Sequence, residues 1–115
     1  IAIVSTAGLQ RRDEPPFKVG ATDYRVIPGD VEADDLVMSH ISVNFDRSGF
    51  QQDLNVVFPI DRLNELAADG VIGSVADFHY AFMGATDPHE MEPQARRMAG
   101  LLKGDGVPGV LLVPV

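Results

Sequence analysis

The last ten residues, Gly106-Val107-Pro108-Gly109-Val110-Leu111-Leu112-Val113-Pro114-Val115, contain no polar side chain. The run is far shorter than the roughly 20 residues that a membrane-spanning helix needs. Gly104 and Gly106 close a helical pattern just before it. An apolar run of this kind reads as a strand buried on both faces, the environment of a parallel sheet covered by helices. In open α/β sheets chemistry sits just beyond the carboxyl ends of such strands. Here the sequence stops where a functional loop is expected, and it starts at Ile1 inside another apolar run. The expectation is a single α/β domain over residues 1–115, truncated at both ends.

The other elements follow from pattern and punctuation. Residues 1–4 form a short apolar strand that runs into the small residues Ser5, Thr6, Ala7 and Gly8. Residues 10–20, with Arg11, Arg12, Asp13, Glu14, Pro15 and Pro16, read as a solvated loop. Residues 24–27 alternate weakly before the turn Pro28-Gly29-Asp30 and suit an edge strand. From His40 onward the polar residues fall at 40, 42, 44 and 46, so His40, Ser42, Asn44 and Asp46 share one face. A helix is expected over 59–69: Pro59 suits its first turn and Asp61 its amino-terminal dipole. Ile60, Leu63, Leu66 and Ala67 form its apolar stripe, and Gly70 caps it. Residues 78–83 read as a second buried strand ending near Gly84. Asp87-Pro88-His89-Glu90 then opens a helix that reaches about Lys103, with Met91, Ala95, Met98 and Leu102 as core filler. Pro93 either kinks its opening turn or marks the true start. The fold class is α/β with three layers and a partly parallel sheet, flavodoxin-like or Rossmann-like.

Charge and composition exclude several classes. Nine basic against 17 acidic residues give a net charge of −8, which repels a phosphate backbone, so no nucleic-acid partner is expected. No apolar run is long enough to span a membrane, and no membrane partner is expected. The absence of cysteine removes disulfides, thiolate metal sites and a cysteine nucleophile from these residues, and fits a cytoplasmic protein.

Chemistry-bearing residues are few. His40 and His79 lie on or beside strands, with Asp46 and Asp53 as available partners, so either histidine could act as a general base or sit satisfied in the core. Their spacing matches no zinc pattern, and no metal site is assigned. The acidic turn at Glu32, Asp34 and Asp35 lacks EF-hand spacing and reads as solvated. No G-x-S-x-G elbow supports a serine nucleophile. The turn from Ser5 to Gly8 has the small residues of an anion-binding strand exit without G-x-G-x-x-G or a P-loop. A non-catalytic α/β module that holds a small anion there is one functional reading.

The other comes from a resemblance. In order, the chain carries Ile3-Val4-Ser5-Thr6-Ala7-Gly8, Tyr24-Arg25-Val26-Ile27-Pro28, Ser39-His40, Asn44-Phe45-Asp46 and Asp53-Leu54-Asn55-Val56-Val57-Phe58-Pro59-Ile60-Asp61-Arg62-Leu63. Gly70-Val71-Ile72-Gly73-Ser74, His79-Tyr80-Ala81-Phe82-Met83-Gly84 and Val110-Leu111-Leu112-Val113-Pro114-Val115 follow. This series resembles the selenoprotein B family of glycine, sarcosine, betaine and D-proline reductases, and within it the short single-domain members. The resemblance implies that a selenocysteine or cysteine follows Val115, with another cysteine a few residues on. A chain ending here is what reading a selenocysteine codon as a stop would produce. It also implies reductive cleavage of a small amine or related substrate by that selenolate or thiolate, with a thiol or dithiol as reductant, and inactivity without it. On that reading His40 and His79 are catalytic candidates, and Ser5, Thr6, Gly8, Asn44 and Asp46 line the substrate. A small-molecule substrate and the reductant are the expected partners, with room for a homo-oligomer; no cofactor lies within residues 1–115.

Overall fold

The strand Ala2–Ser5 (β1) owes its central place to its sequence: Ala2, Ile3 and Val4 are small or β-branched and all buried, so both of its faces need cover. The computed structural model describes residues 1–40 and 48–115. Among these, the further strands are Leu9–Arg11 (β2), Tyr24–Pro28 (β3), Leu36–Met38 (β4), Phe78–Phe82 (β5) and Val110–Val113 (β6). The helices are Ser48–Gln52 (α1), Ile60–Ala68 (α2) and Pro88–Gly104 (α3). β1 pairs in parallel with β5 on one side and β6 on the other, and β3 adds antiparallel to β5, giving the order β3-β5-β1-β6. β2 and β4 form a separate antiparallel pair. The alternation expected over 40–46 falls, beyond His40, outside the described residues, and with it Asn44 and Asp46.

Side chains alternate across a strand, and the two faces of the sheet bury different helices. Ile3, Ile27 and Ala81 cluster with Phe58, Ile60 and Leu63 on the α2 side. Ala2, Val4, Tyr80 and Phe82 cluster with Met98 and Leu102 of α3 on the other. The result is a three-layer α/β domain. α2 starts where Asn55 bridges its first turn: the Asn55 side chain donates to Asp61 at 2.9 Å and accepts the Asp61 N–H at 3.0 Å. α3 starts at Asp87, whose carboxylate accepts the His89 N–H at 2.9 Å. Pro93 therefore lies inside α3 and does not mark its start. It sits on the exposed side of the helix, where water can reach the carbonyl that its missing N–H leaves unbonded.

Two expectations are corrected. The charged stretch 10–20 is not wholly a solvated loop: Leu9–Arg11 is a strand, and Leu9, Gln10 and Phe17 are buried. Arg25 holds this segment down, its guanidinium 4.4 Å from the Phe17 ring centre and donating to the Pro15 carbonyl at 2.9 Å. The second correction concerns β6. It is an edge strand with Val110, Leu111 and Leu112 at 41%, 37% and 69% exposure, not a strand buried on both faces. The reason is that α3 packs onto Ala2, Val4, Tyr80 and Phe82 of the inner strands. Carbonyls of Gly109 and Val113 accept from Ala2 and Thr6, each at 3.1 Å, so the backbone of residues 110 and 112 faces outward. Pro108 and Pro114 bracket that free edge and offer no N–H to it, a common guard against edge pairing. Leu112→Lys is accordingly expected to shift stability by less than about 0.5 kcal/mol in urea unfolding, the size of an ordinary surface change.

Candidate functional site

α2 and α3 cover opposite faces of the sheet, and in open α/β sheets ligands bind outside the carboxyl ends of the strands. The segments leaving β1, β5 and β6 meet there. The Thr6 N–H donates to Val113 at 3.1 Å, the Gly84 N–H donates to the Thr6 carbonyl at 2.9 Å, and the Gly8 N–H donates to Phe82 at 2.9 Å. Thr6 Oγ1 accepts the Val115 N–H at 2.7 Å and donates to the Val115 carbonyl at 3.3 Å. A fourth segment arrives from β4. The Ser39 N–H donates to the Gly8 carbonyl at 2.9 Å, and the Ser39 hydroxyl donates to Gln10 Oε1 at 2.8 Å. That contact brings the backbone of His40 against Gly8, with the imidazole buried. Thr6, Gly8 and His40 are thus brought to one end of the sheet, beside Gly84 and Val115.

Ser5 faces inward. It is fully buried, and its hydroxyl accepts the Ala7 N–H at 3.2 Å. The backbone N–H groups of Thr6, Ala7 and Gly8 all have protein acceptors, so the turn presents no free amide cradle of the sort that binds anions. What it holds is the chain leaving β6.

His79 is elsewhere. It stands near the amino end of β5, wholly buried, with its ring edge-on to Phe58 at 5.5 Å between centres. Nδ1 accepts the Ile3 N–H at 2.9 Å, which places the proton of the neutral ring on Nε2. Nε2 has no partner at hydrogen-bond distance; the nearby Ala76 carbonyl favours its protonation weakly. Burial, followed by the positive charge of the Ile1 ammonium, lowers the pKa from 6.5 to about 4. Asp53 is a cap: its carboxylate accepts from the Asn55 side chain and N–H, which hold it below the ordinary aspartate range. Among the described residues no group of three His, Asp or Glu side chains is arranged to hold a metal ion. Concavities of about 560 and 390 Å³ lie at the other end of the sheet, lined by residues such as Gly29, Asp77 and Pro108. The first is also lined by Asp30 and Asn64 and the second by Ser74 and Asp105, and both lie away from the carboxyl ends of β1 and β5.

The role of Gly84 was not separable in sequence from that of any small residue closing a strand. Its signal is the geometry: a Cβ at position 84 would lie 2.7 Å from the Thr6 carbonyl oxygen and 2.8 Å from that of Val115.

Comparison with known proteins settles the lineage. The family model for glycine/sarcosine/betaine reductase selenoprotein B matches residues 1–115. The chain belongs to that family. Among curated selenoprotein B relatives, D-proline reductase subunit gamma of Acetoanaerobium sticklandii is 34% identical over 115 residues, covering 97% of this chain and 47% of its own. The betaine reductase complex component B subunit beta of Peptoclostridium acidaminophilum is 30% identical over 117 residues, covering 97% of this chain and 27% of its own. The corresponding sarcosine reductase subunit of the same organism is 30% identical over 119 residues, again 97% and 27%. The chain therefore spans less than half the length of these relatives. No solved structure matches it. No helix among the described residues is long and apolar enough to cross a membrane.

Proposed function

We propose that this domain is the scaffold of a reductase subunit that presents a selenolate or thiolate, carried directly after Val115, at the carboxyl ends of β1 and β5. The observation that carries this reading is the delivery of Val115 by β6 to the exits of β1 and β5, where Thr6 holds it. Membership of the selenoprotein B family, with relatives named as D-proline, betaine and sarcosine reductase subunits, supplies the reaction class. The nucleophile attacks a substrate carbon, the carbon–nitrogen bond breaks, and the amine leaves with a proton. A thiol then attacks the selenium or sulfur of the adduct, and the carbon departs with the bonding pair and takes up a proton. A second thiol restores the nucleophile and leaves a disulfide, so the dithiol supplies the two electrons.

His40 is the proposed proton donor to the leaving amine, because its backbone packs at the β1 exit. His79, at the far end of β5, is better suited to packing. The 115 residues contain no cysteine, so in this reading they are inert on their own. The competing reading, a small-anion module at Ser5 to Gly8, lacks donors: the backbone N–H groups of residues 6–8 are already engaged.

The test is the gene and protein carried past Val115. A cysteine or selenocysteine codon there is expected. Expected too is dithiothreitol-dependent cleavage of D-proline, betaine, sarcosine or glycine by the full-length protein with its companion subunits, abolished by iodoacetamide. Any other codon at that position overturns the reading. Saturable binding of phosphate or acetate that is lost in Thr6→Val would instead favour the anion module.

A further inference from the structure

Resting on that reading, we infer that Thr6 is the positioning residue for the nucleophile. Its hydroxyl holds the end of β6 directly, accepting the Val115 N–H at 2.7 Å. The N–H belongs to the peptide plane that enters Val115. With that plane held against the exit of β1, the place from which the following residue departs is fixed. A nucleophile on a free chain end would sample many directions. Misplacement by about 1 Å can lower a rate on the order of 100-fold.

The anchor is itself rigid. Thr6 is fixed by its own N–H to Val113 at 3.1 Å and by its carbonyl, which accepts from Gly84 at 2.9 Å. Gly84 lets the three segments close, since a Cβ there would lie under 3 Å from the carbonyl oxygens of both Thr6 and Val115. Threonine suits the task because its β-branch restricts χ1, so the hydroxyl is presented in a defined direction. Thr6 acts through the residue after Val115, and its own hydroxyl, engaged by the Val115 N–H, does not take part in bond making.

The experiment uses the full-length protein in its reconstituted complex, comparing wild type with Thr6→Val, which keeps the shape and removes the hydroxyl, and Thr6→Ser, which keeps the hydroxyl. Thr6→Val is expected to lower kcat about 10- to 100-fold with KM within about twofold, while Thr6→Ser stays within about threefold of wild type. Amide exchange at Val115 is expected to quicken in Thr6→Val and not in Thr6→Ser, with the melting temperatures of all three reported alongside. Equal kcat in wild type and Thr6→Val, or equal losses in Val and Ser variants, overturns the assignment. Either result, in a wild-type complex that turns over and is blocked by iodoacetamide, leaves the reductase reading standing. A wild-type protein with no alkylatable residue after Val115 removes the reading and the assignment together.

Discussion

Acidification from pH 7 to pH 4 is expected to remove about 3 kcal/mol of folding stability through His79 alone. The folded chain holds this imidazole neutral down to about pH 4, whereas an ordinary histidine titrates at 6.5. Burial is the leading cause, and among the described residues the ring's recorded neighbours are the Ile3 N–H, Phe58 and the Ala76 carbonyl, none of them a carboxylate. Protonation also breaks the Ile3 bond, because Nδ1 would become a donor facing a donor. Between pH 6.5 and 4 the unfolded chain binds the proton that the folded chain refuses, so stability falls as pH falls through that window. The His79 contribution is complete above 6.5 and constant again below about 4. Each pH step of one across the window costs about 1.4 kcal/mol, which gives the figure of about 3. Urea unfolding at about pH 7, 5.5 and 4 measures it, with His79→Asn as the comparison, since an Asn oxygen can still accept the Ile3 N–H. Wild type is expected to lose about 3 kcal/mol more than the variant across the whole window. Parallel curves would mean that His79 carries its proton at no cost in the folded state.

That result would also separate the two histidines, which the sequence could not do. His40 and His79 each lie by a strand, and nothing local says which end of a strand faces a crevice. The end is fixed by pairing: β5 runs parallel to β1, with Val4 opposite Tyr80, so His79 falls beside Ile3 while Gly8 and His40 meet at the other end. Elements with local punctuation were legible. α2 has Pro59 and Asp61 at its start and an apolar stripe at Ile60 and Leu63; α3 has the Asp87-Pro88 cap. β1 and β5 were legible because their apolar runs are covered on both sides. β6 carries the same kind of run but is bare at Leu112, because burial depends on where α3 docks, and that depends on the inner strands. β2 was missed for a related reason: its partner β4 is about 27 residues away in sequence, and Leu9–Arg11 has no strand pattern without it. Thr6 was legible as a residue near a strand end. Its partner, 109 residues away, was not.

Gly8→Ala is expected to cost about 3 kcal/mol, and the source of that cost can be isolated. Gly8 has φ of +70°, a left-handed conformation that penalises an L side chain by roughly 1–2 kcal/mol. Gly70 has nearly the same angle, +75°, with no other atom within 4 Å of where a Cβ would stand, so Gly70→Ala reports the backbone penalty by itself. At Gly8 a Cβ would lie 2.9 Å from the His40 nitrogen, 3.1 Å from its Cα and 3.2 Å from the Ser39 carbonyl carbon. These are backbone atoms and cannot rotate away. Relief requires lifting the end of β4 off the β1 exit, which stretches the Ser39-to-Gly8 hydrogen bond of 2.9 Å. Losing a buried hydrogen bond of this sort costs on the order of 1–3 kcal/mol. The difference in urea unfolding between Gly8→Ala and Gly70→Ala is therefore the worth of the close approach, expected at about 2 kcal/mol. A difference near zero would show that the β4 end yields freely, and that His40 is not held at the exit of β1 by Gly8. A large difference would mean that the position of His40 depends on the absence of one methyl group at the exit of β1.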